Sequence, residues 1–384
     1  MPYILIVVAL FTSAIIFKSR MIQLVLIFLA YPIFITALLL IGIEPKRIIS
    51  NVGDFYYSDL YLEAFYFQVL CYLTFFMAIF TLRKSEFNVP RLSLGKDIRL
   101  TLLGMLFLFY PIAYPAIFGL GDGRFGSGGS VLIVINSLLL ITRKNRIDIA
   151  DVGMLSINLF AFISGERADT ILVLFLYFIL KPDDGRIKER NISNYSFMLG
   201  GVFIAVLAMM SGMLRAGESL NLSVHSIFNY LISQGTAVDV AHVYFSSFWY
   251  VDKYGVDLRP LINIVSSFLP MFSWGGASSD FNVTEILRNH IPNVGGGLFY
   301  SAFYLSLGWV GLCLVFVYGY LLKLFYRNDS IFNFLFIALF IQQLRIQWYG
   351  INYLGNVISL GLIIIFFLVL LKMTFLNKKP KNNL

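Results

Sequence analysis

Long apolar stretches recur along almost the whole chain and leave mostly short polar segments between them. A helix needs about 20 apolar residues to cross a bilayer. Hydrophobic residues make up 59% of the 384 residues, above the roughly 45–50% of soluble domains. The sequence therefore predicts an all-α, polytopic integral membrane protein. We expect about 11 transmembrane helices, at approximately 3–17, 21–43, 61–82, 100–119, 130–142, 148–163, 168–180, 195–212, 297–322, 330–344 and 354–374.

The basic residues divide the polar segments into two sides. When Lys378, Lys379 and Lys381 are placed in the cytoplasm and the sides alternate backwards, 20 of the 29 Lys and Arg residues fall inside. Cytoplasmic loops carry such an excess, which predicts a periplasmic N-terminus and a cytoplasmic C-terminus. The same bias accounts for the net charge of +8, so no nucleic-acid partner is expected. Besides the three tail lysines and Lys372 at the inner end of the last span, the cytoplasmic groups are Lys18/Arg20, 83–99, 143–146, 181–190 and Lys323/Arg327.

The two cysteines argue against cysteine-based sites, and the N-terminus argues against a cleaved signal peptide. Cys71 and Cys313 both lie within apolar stretches, which argues against a disulfide framework and a thiolate metal site. No Lys or Arg precedes the first apolar stretch, and no small-residue cleavage site follows it. We therefore expect a retained first helix rather than a cleaved signal peptide.

One large loop dominates the external side. We predict a single membrane domain over 1–384, with a periplasmic loop at 213–296 between the eighth and ninth spans. Within it, 261–273 is apolar but short and interrupted by Pro270, so we expect an interfacial or re-entrant element. The loop holds all three histidines, His225, His242 and His290. Long loops often carry function, but a long loop also collects histidines by default, and both interpretations stay open.

Three arginines stand at predicted external helix ends. Arg167 lies in an apolar stretch, and Arg215 and Arg345 leave the eighth and tenth spans. An ionised group inside a membrane segment is a functional-site hypothesis, and guanidinium forks onto phosphate oxygens. Together they predict a pyrophosphate site at the outer membrane surface. For each arginine alone, the alternatives are snorkelling or an ion pair, such as that of Arg167 with Asp169 or with a distant carboxylate.

The segment 280–297 is the most polar part of the loop. Asn282 and Glu285 resemble a capping box, which predicts a short helix from Val283 that Pro292 ends. Glu285 and Arg288 are spaced for a surface ion pair on that helix. His290 is a candidate general base because its ordinary pKa lies near 6.5. Asp280 and Glu285 are competing candidates for that role.

Other motifs give weaker indications. Gly121, Gly123 and Gly126 match a dinucleotide pattern but lack a preceding strand, although Arg124 between them is placed to contact a phosphate. External aromatic residues are candidates to stack on sugar rings or to form the interfacial belt. The adjacent Asp183 and Asp184 fall on the cytoplasmic side, which argues against an outward metal-binding motif, so neither a cofactor nor a metal is expected. The aromatic candidates are Trp249, Tyr250, Trp274, Trp348 and Tyr349.

These features together resemble a known family. The stretch SGERADTILVLFLYF, one large external loop, and GGGLFYSAFYLSLGWVGL at the next span are similar to the bacterial O-antigen polymerases, the Wzy-type oligosaccharide repeat-unit polymerases. The resemblance implies metal-independent glycosyl transfer between undecaprenyl-diphosphate-linked oligosaccharides, donor and acceptor, at the periplasmic face of the inner membrane. It implies diphosphate-contacting roles for Arg167 and Arg215, and less directly for Arg288 and Arg345. A chain-length regulator, a flippase and membrane lipid are the partners it allows.

Three alternatives act on the same glycans. O-antigen ligases place a His eleven residues before G-x-x-G, whereas the residue eleven before Gly308 is Gly297 and His290 lies seven residues earlier, which favours a polymerase. A flippase would more plausibly show paired half-repeats, interrupted helices and midplane ionisable groups. A membrane acyltransferase would place a catalytic His within or beside a span, and the predicted spans contain none.

Overall fold

The computed structural model describes residues 2–43, 58–92, 94–118, 120, 126–164, 167–201, 206, 235–269, 279–293, 295–327 and 332–376. Most of these residues are helical, which agrees with the predicted all-α class. The main helices are α1 (Pro2–Ser13), α2 (Arg20–Leu40), α3 (Ser58–Ile79), α4 (Lys96–Ala113), α5 (Gly126–Ile141), α6 (Ile149–Ile163), α7 (Arg167–Ile179), α8 (Gly235–Tyr254), α9 (Arg259–Ser267), α10 (Val283–Arg288), α11 (Phe299–Leu307), α12 (Leu312–Arg327), α13 (Asn333–Ile341), α14 (Gln343–Tyr349) and α15 (Asn352–Leu376).

Helices occur where the apolar stretches predict spans. By length and composition, three helical stretches of the described chain suffice to cross a membrane: Arg20–Leu40, Leu60–Leu82 and Phe299–Arg327. Shorter apolar helices cover Pro2–Ile16, Gly129–Ile141, Ile149–Ile163, Asp169–Ile179 and Asn352–Phe367. Membrane character is thus supported, while the number of eleven spans stays a prediction.

The segments predicted to share the cytoplasmic side meet at one end of the helical bundle. That end carries a three-stranded antiparallel sheet of β1 (Asn88–Pro90), β3 (Arg186–Glu189) and β2 (Leu180–Asp183), in the order β1-β3-β2. We call it the sheet end, and the opposite end the far end. Hydrogen bonds join the loops there: Lys18 N to Arg83 O (3.0 Å), Arg91 N to Gly185 O (2.8 Å), Leu92 N to Ile141 O (3.3 Å) and Arg327 Nη2 to Thr81 O (3.0 Å).

A buried ion network stabilises the sheet end. Arg99, 1% exposed, donates from Nη2 to Asp151 Oδ1 at 2.9 Å and to Asp148 Oδ1 at 3.2 Å, and from Nη1 to Thr142 Oγ1 at 2.9 Å. Asp148 and Asp151 also form a reciprocal capping box at the start of α6. The network therefore ties α4, the end of α5 and the start of α6 together.

The predicted span 297–322 is not one continuous helix. The chain reverses at Gly308, whose φ of 57° suits glycine. As a result the ring of Phe299 lies 5.3 Å from that of Tyr318. A Cβ at Gly311 would lie only 2.6 Å from the carbonyl oxygen of Phe303. Helices α11 and α12 are thus antiparallel arms of a hairpin, so Phe299–Arg327 is not one straight spanning helix although its length and composition would suffice. Apolar composition alone does not reveal this reversal.

Part of the predicted external loop packs into the bundle. Helix α8 spans 20 residues and buries Tyr244 and Phe248 completely, with Tyr244 Oη donating to Ala64 O of α3 at 2.7 Å. In the sequence, the charged residues Asp252 and Lys253 interrupt the apolar pattern, which therefore predicts no span here. Helix α9, inside the predicted interfacial element, has nine residues and is about 14 Å long, too short to cross a bilayer. Pro270 lies outside the described residues.

Candidate functional site

Arg345 lies inside the bundle in a buried ion pair. Its Nε is 2.5 Å from Oδ2 of Asp169, in the first turn of α7. The hydroxyl of Tyr114, the residue after α4, donates to the same oxygen at 3.1 Å and accepts from Arg345 Nη2 at 3.2 Å. The three side chains come from separate elements, so the arrangement depends on the packing of α4, α7 and α14.

The pair sits toward the far end. Helix α7 begins two residues before Asp169 and ends where β2 begins at the sheet end. A carboxylate in the first turn is also stabilised by the positive end of the helix dipole. Arg345 and Asp169 are 7% and 5% exposed, so the snorkelling alternative is wrong for Arg345. The ion-pair alternative holds, with Arg345 as the partner of Asp169.

Burying this pair is costly, because two charges lose their hydration and recover it only through good geometry and further hydrogen bonds. Oδ1 of Asp169 is buried and has no hydrogen-bond partner among the described residues. A buried carboxylate oxygen without a donor is a reason to expect a functional role. This second oxygen can accept a hydrogen bond from a bound molecule or a water.

Helix α14 carries further polar groups into the bundle. Gln343 Oε1 accepts from Tyr318 Oη at 2.7 Å and from Gln347 Nε2 at 3.0 Å. One turn separates Gln343 from Gln347, so both lie on one face of the helix. The ring of Trp348 stacks on Tyr31 at 5.5 Å. That contact occupies one face of the indole that the sequence suggested for a sugar.

A small pocket lies between α9, α10 and the end of α14. Gly296 has a φ of 81°, and a Cβ there would lie 2.9 Å from Val240 of α8. Gly297 N donates to Trp348 O at 3.0 Å. The three consecutive glycines therefore allow the chain to pass close to α8 and α14. The pocket is lined by Pro260, Asn263, Asn282, Gly296, Tyr349 and Asn352, among others.

The polar segment around Arg288 lies at the surface. Asn282 accepts from Thr284 N at 3.4 Å and caps α10, and Arg288 Nη1 is 2.6 Å from Glu285 Oε1 in a partly exposed pair. The predicted ion pair is thus present. However, α10 ends at Arg288 and not at Pro292, because the last residues before the proline form a turn.

His290 leaves that turn and is exposed. Its ring packs against Tyr250 and Tyr254 of α8, at 5.4 and 4.7 Å between ring centroids. Asp280 is exposed in a short turn before α10, and His242 Nε2 lies 3.4 Å from Pro292 O. The structure thus assembles Glu285 with Arg288, and His290 with two tyrosines, as separate surface groups.

Several predicted residues lie outside the described part of the chain. They include Arg215 and Arg124, and also His225 and Trp274, while of Arg167 only the backbone, at the start of α7, is described. The predicted diphosphate cluster of Arg167 and Arg215 therefore stays a prediction.

The sequence suggested Asp169 only as a partner for Arg167 and did not indicate Tyr114, Gln343 or Gln347. The available signal for Asp169 was its position as an ionisable residue in an apolar stretch. A tyrosine in an apolar segment gives no comparable signal.

The chain matches no family model, no curated protein and no solved structure.

Proposed function

We propose that the protein polymerises undecaprenyl-diphosphate-linked oligosaccharide repeat units into O-antigen or a related surface polysaccharide. In this proposal it is a metal-independent glycosyltransferase of the bacterial inner membrane, with its far end toward the periplasm. The observation that carries the proposal is the buried Arg345–Asp169 pair with Tyr114. It lies two residues from the start of α7, where Arg167 stands.

The chemistry requires a leaving group and a base. The acceptor sugar hydroxyl attacks the anomeric carbon of the donor, whose bond to the diphosphate oxygen breaks, and a base receives the hydroxyl proton. Arg167 and Arg215 bind the diphosphate and stabilise its developing charge. His290, Asp280 or Glu285 takes the proton, Arg288 contributes to binding the diphosphate, and Tyr349 contacts the glycan. Asp169 and Tyr114 fix the guanidinium of Arg345 at the edge of this site.

Transport of a lipid-linked glycan is the second candidate, and two observations favour it. The chain is interrupted at Gly308 and Gly350, where φ is 57° and 133°, and a buried ion pair lies within the bundle. Interrupted helices and buried ionisable groups are typical of transporter sites. The polymerase proposal rests on the Arg345–Asp169 pair, since Asp169 lies two residues from Arg167 at the start of α7 and arginines suit a diphosphate.

The test uses purified protein in liposomes with a lipid-diphosphate-linked repeat unit and no added divalent metal. We expect a ladder of lengthened glycan, lost or reduced at least tenfold in Arg167→Lys and Arg215→Lys, because a point charge does not reproduce the guanidinium fork. The matched control is Arg146→Lys, an exposed arginine of the sheet end.

Full activity of both lysine variants would overturn the diphosphate role of these arginines. If folded wild-type protein gives no ladder but moves a fluorescent lipid-linked glycan between leaflets, the protein is a transporter. The same liposomes serve both assays, so the two functions are compared on identical samples.

A further inference from the structure

Helix α9 has an inverted distribution of polar and apolar side chains. Its buried face carries two polar residues, Asn263 and Ser267, which are 6% and 5% exposed, beside Pro260 and Ile264. The outward face carries large apolar side chains that are at least half exposed. They are Leu258 (54%), Ile262 (52%), Val265 (60%) and Leu269 (50%), from just before the helix to just after it. Their spacing of four, three and four residues places them in one stripe.

Contacts of the inner face fix this orientation. Asn263 Nδ2 donates to Phe281 O at 3.4 Å, and Pro260 and Asn263 line the pocket described above. Ser267 lies so close to Gly355 of α15 that a Cβ there would be 2.0 Å from its Oγ. The helix therefore cannot simply rotate to bury its apolar stripe.

Such an orientation is unfavourable in water. In water, burial of a large aliphatic side chain stabilises a fold, yet four such chains point outward here. Burial of polar side chains in their place does not offset this cost, because each buried polar group needs a hydrogen bond to replace those it made with water. The distribution is favourable if the medium facing the stripe is hydrocarbon.

The neighbouring surface identifies that medium as the bilayer. Helices α13 and α14 run from the sheet end, where Phe336 meets Phe87, so α15 starts at the far end and α9 packs beside that start. Further along α15 the apolar Leu362 and Phe366 are also exposed, at 45% and 61%. The stripe thus continues an apolar surface on a helix apolar enough to be embedded in lipid.

Groups typical of the lipid headgroup level flank the stripe. Lys253 Nζ lies 4.9 Å from the Trp249 ring and 5.4 Å from the Tyr254 ring. Arg259, at the start of α9, is held by the carboxylate of Asp257. Aromatic rings and long basic side chains concentrate at the boundary between hydrocarbon and water, which places α9 just inside that boundary.

We propose that α9 is an interfacial helix whose stripe contacts the acyl chains of phospholipids in the far-end leaflet, while its polar face forms a wall of the pocket. Only one helix, about 10 Å across, then separates the pocket from the lipid chains. If the proposed function is also right, the carrier chain of a substrate lies along α9 in the membrane while its diphosphate and sugars reach the pocket.

The test places single cysteines at Ile262 and Val265 in a Cys313→Ser background, since Cys313 is exposed and Cys71 buried. Each is labelled with a polarity-sensitive fluorophore in liposomes of phospholipids brominated on their acyl chains. The lipid-facing reference is Leu108→Cys on α4, and the water-facing reference is Asn289→Cys after α10.

We expect quenching by brominated lipid at Ile262 and Val265 to reach at least half of that at Leu108, with little quenching by aqueous iodide. Iodide quenching equal to that at Asn289 would overturn the proposal in favour of water. Protection from both quenchers would overturn it in favour of a covering protein or a second copy of the chain. No glycan is present, so this result is independent of the proposed polymerase activity.

Discussion

Two of the buried arginines of the described chain, Arg99 at the sheet end and Arg345 toward the far end, have different surroundings. Arg99 at the sheet end meets two carboxylates, Asp148 and Asp151, and the hydroxyl of Thr142. Among the described residues, Arg345 toward the far end is paired with Asp169, whose second oxygen has no hydrogen-bond partner there. The unbonded buried atom of the first group is a donor, Arg99 Nε, which still lies 3.1 Å from Asp148 Oδ2, whereas the second group keeps a carboxylate acceptor open.

This contrast separates two reasons for burying a charge. A network such as that of Arg99, in which the buried charge faces carboxylates of the same chain, joins helices. A buried ion pair that leaves a carboxylate oxygen without a donor carries a desolvation cost that the fold alone does not explain. We therefore expect a molecule from outside the chain to donate to that oxygen. We therefore expect substitutions at Arg99 to act on stability and substitutions at Arg345 to act on activity.

The largest effect is expected at the sheet end. Asp151→Ala leaves Arg99 buried with one partly exposed carboxylate, and loss of one partner of a buried pair destabilises by about 3–5 kcal/mol. The measurement is the unfolding temperature of purified protein in detergent. A shift below 2 °C would show that the network is not what holds α4 and α6 together.

The second substitution tests whether the Arg345 pair is structural. Replacing both charges, Arg345→Met with Asp169→Leu, removes the desolvation cost and keeps much of the volume, so the unfolding temperature should stay within a few degrees of the wild type. Glycan lengthening should nevertheless fall at least tenfold. A stable double variant with full activity would make the pair structural, like the Arg99 network.

The single variant Asp169→Asn provides the control for that experiment. It keeps the shape but removes the charge that fixes Arg345, and we expect lower stability than in the double variant. The reverse order of stability would contradict the view that the two charges are coupled.

The sequence predicts the loops of the sheet end better than it predicts the hairpin at Gly308. Basic residues such as Arg83, Arg91 and Arg327 indicated which loops share a side, because charge bias is additive along the chain, and the structure places those loops together. The hairpin at Gly308 could not be read in the same way. Apolar composition is the same for one long helix and for two antiparallel arms, and only the backbone φ at the glycine decides between them.

The candidate site was less predictable than the fold. Arg345 could be singled out because an ionisable group beside apolar residues is costly. Its pairing with Asp169, 176 residues earlier, depends on which helices pack together, and a single sequence does not give that. The helix α9 stripe was visible as an apolar segment, but its inverted orientation follows from the contact of Ser267 with Gly355.

Glu189, a half-buried carboxylate at the sheet end, sharpens the comparison through pH. Glu189, at the end of β3, accepts from the backbone N–H groups of Arg20 and Met21 at the start of α2. Burial raises its pKa from 4.5 to about 7, although these hydrogen bonds oppose the shift. The folded state therefore holds a proton more tightly than the unfolded chain, and the stabilisation is full below about pH 4.5.

Stability should consequently fall as the pH rises from 4.5 through 7, by at most about 3 kcal/mol. The measurement is the unfolding temperature of the wild type and Glu189→Gln between pH 5 and 8. We expect the unfolding temperature of Glu189→Gln to fall much less with rising pH than that of the wild type. An equal decline in both proteins would assign the pH dependence to other groups.

The smallest effect on stability is expected at the exposed pair of Glu285 and Arg288. Both side chains are at least one third exposed, and solvent-exposed pairs contribute about 0–1 kcal/mol. Glu285→Gln and Arg288→Gln should therefore leave the unfolding temperature within about 2 °C of the wild type. Because stability is unaffected, glycan lengthening by these variants reports on the site alone.

Under the proposed function we expect Arg288→Gln to reduce lengthening more than Glu285→Gln, since only the arginine can bind a phosphate oxygen. Equal and unchanged activities would reduce this pair to a surface contact, and Arg345 would then be the one described arginine left with a proposed role in the site.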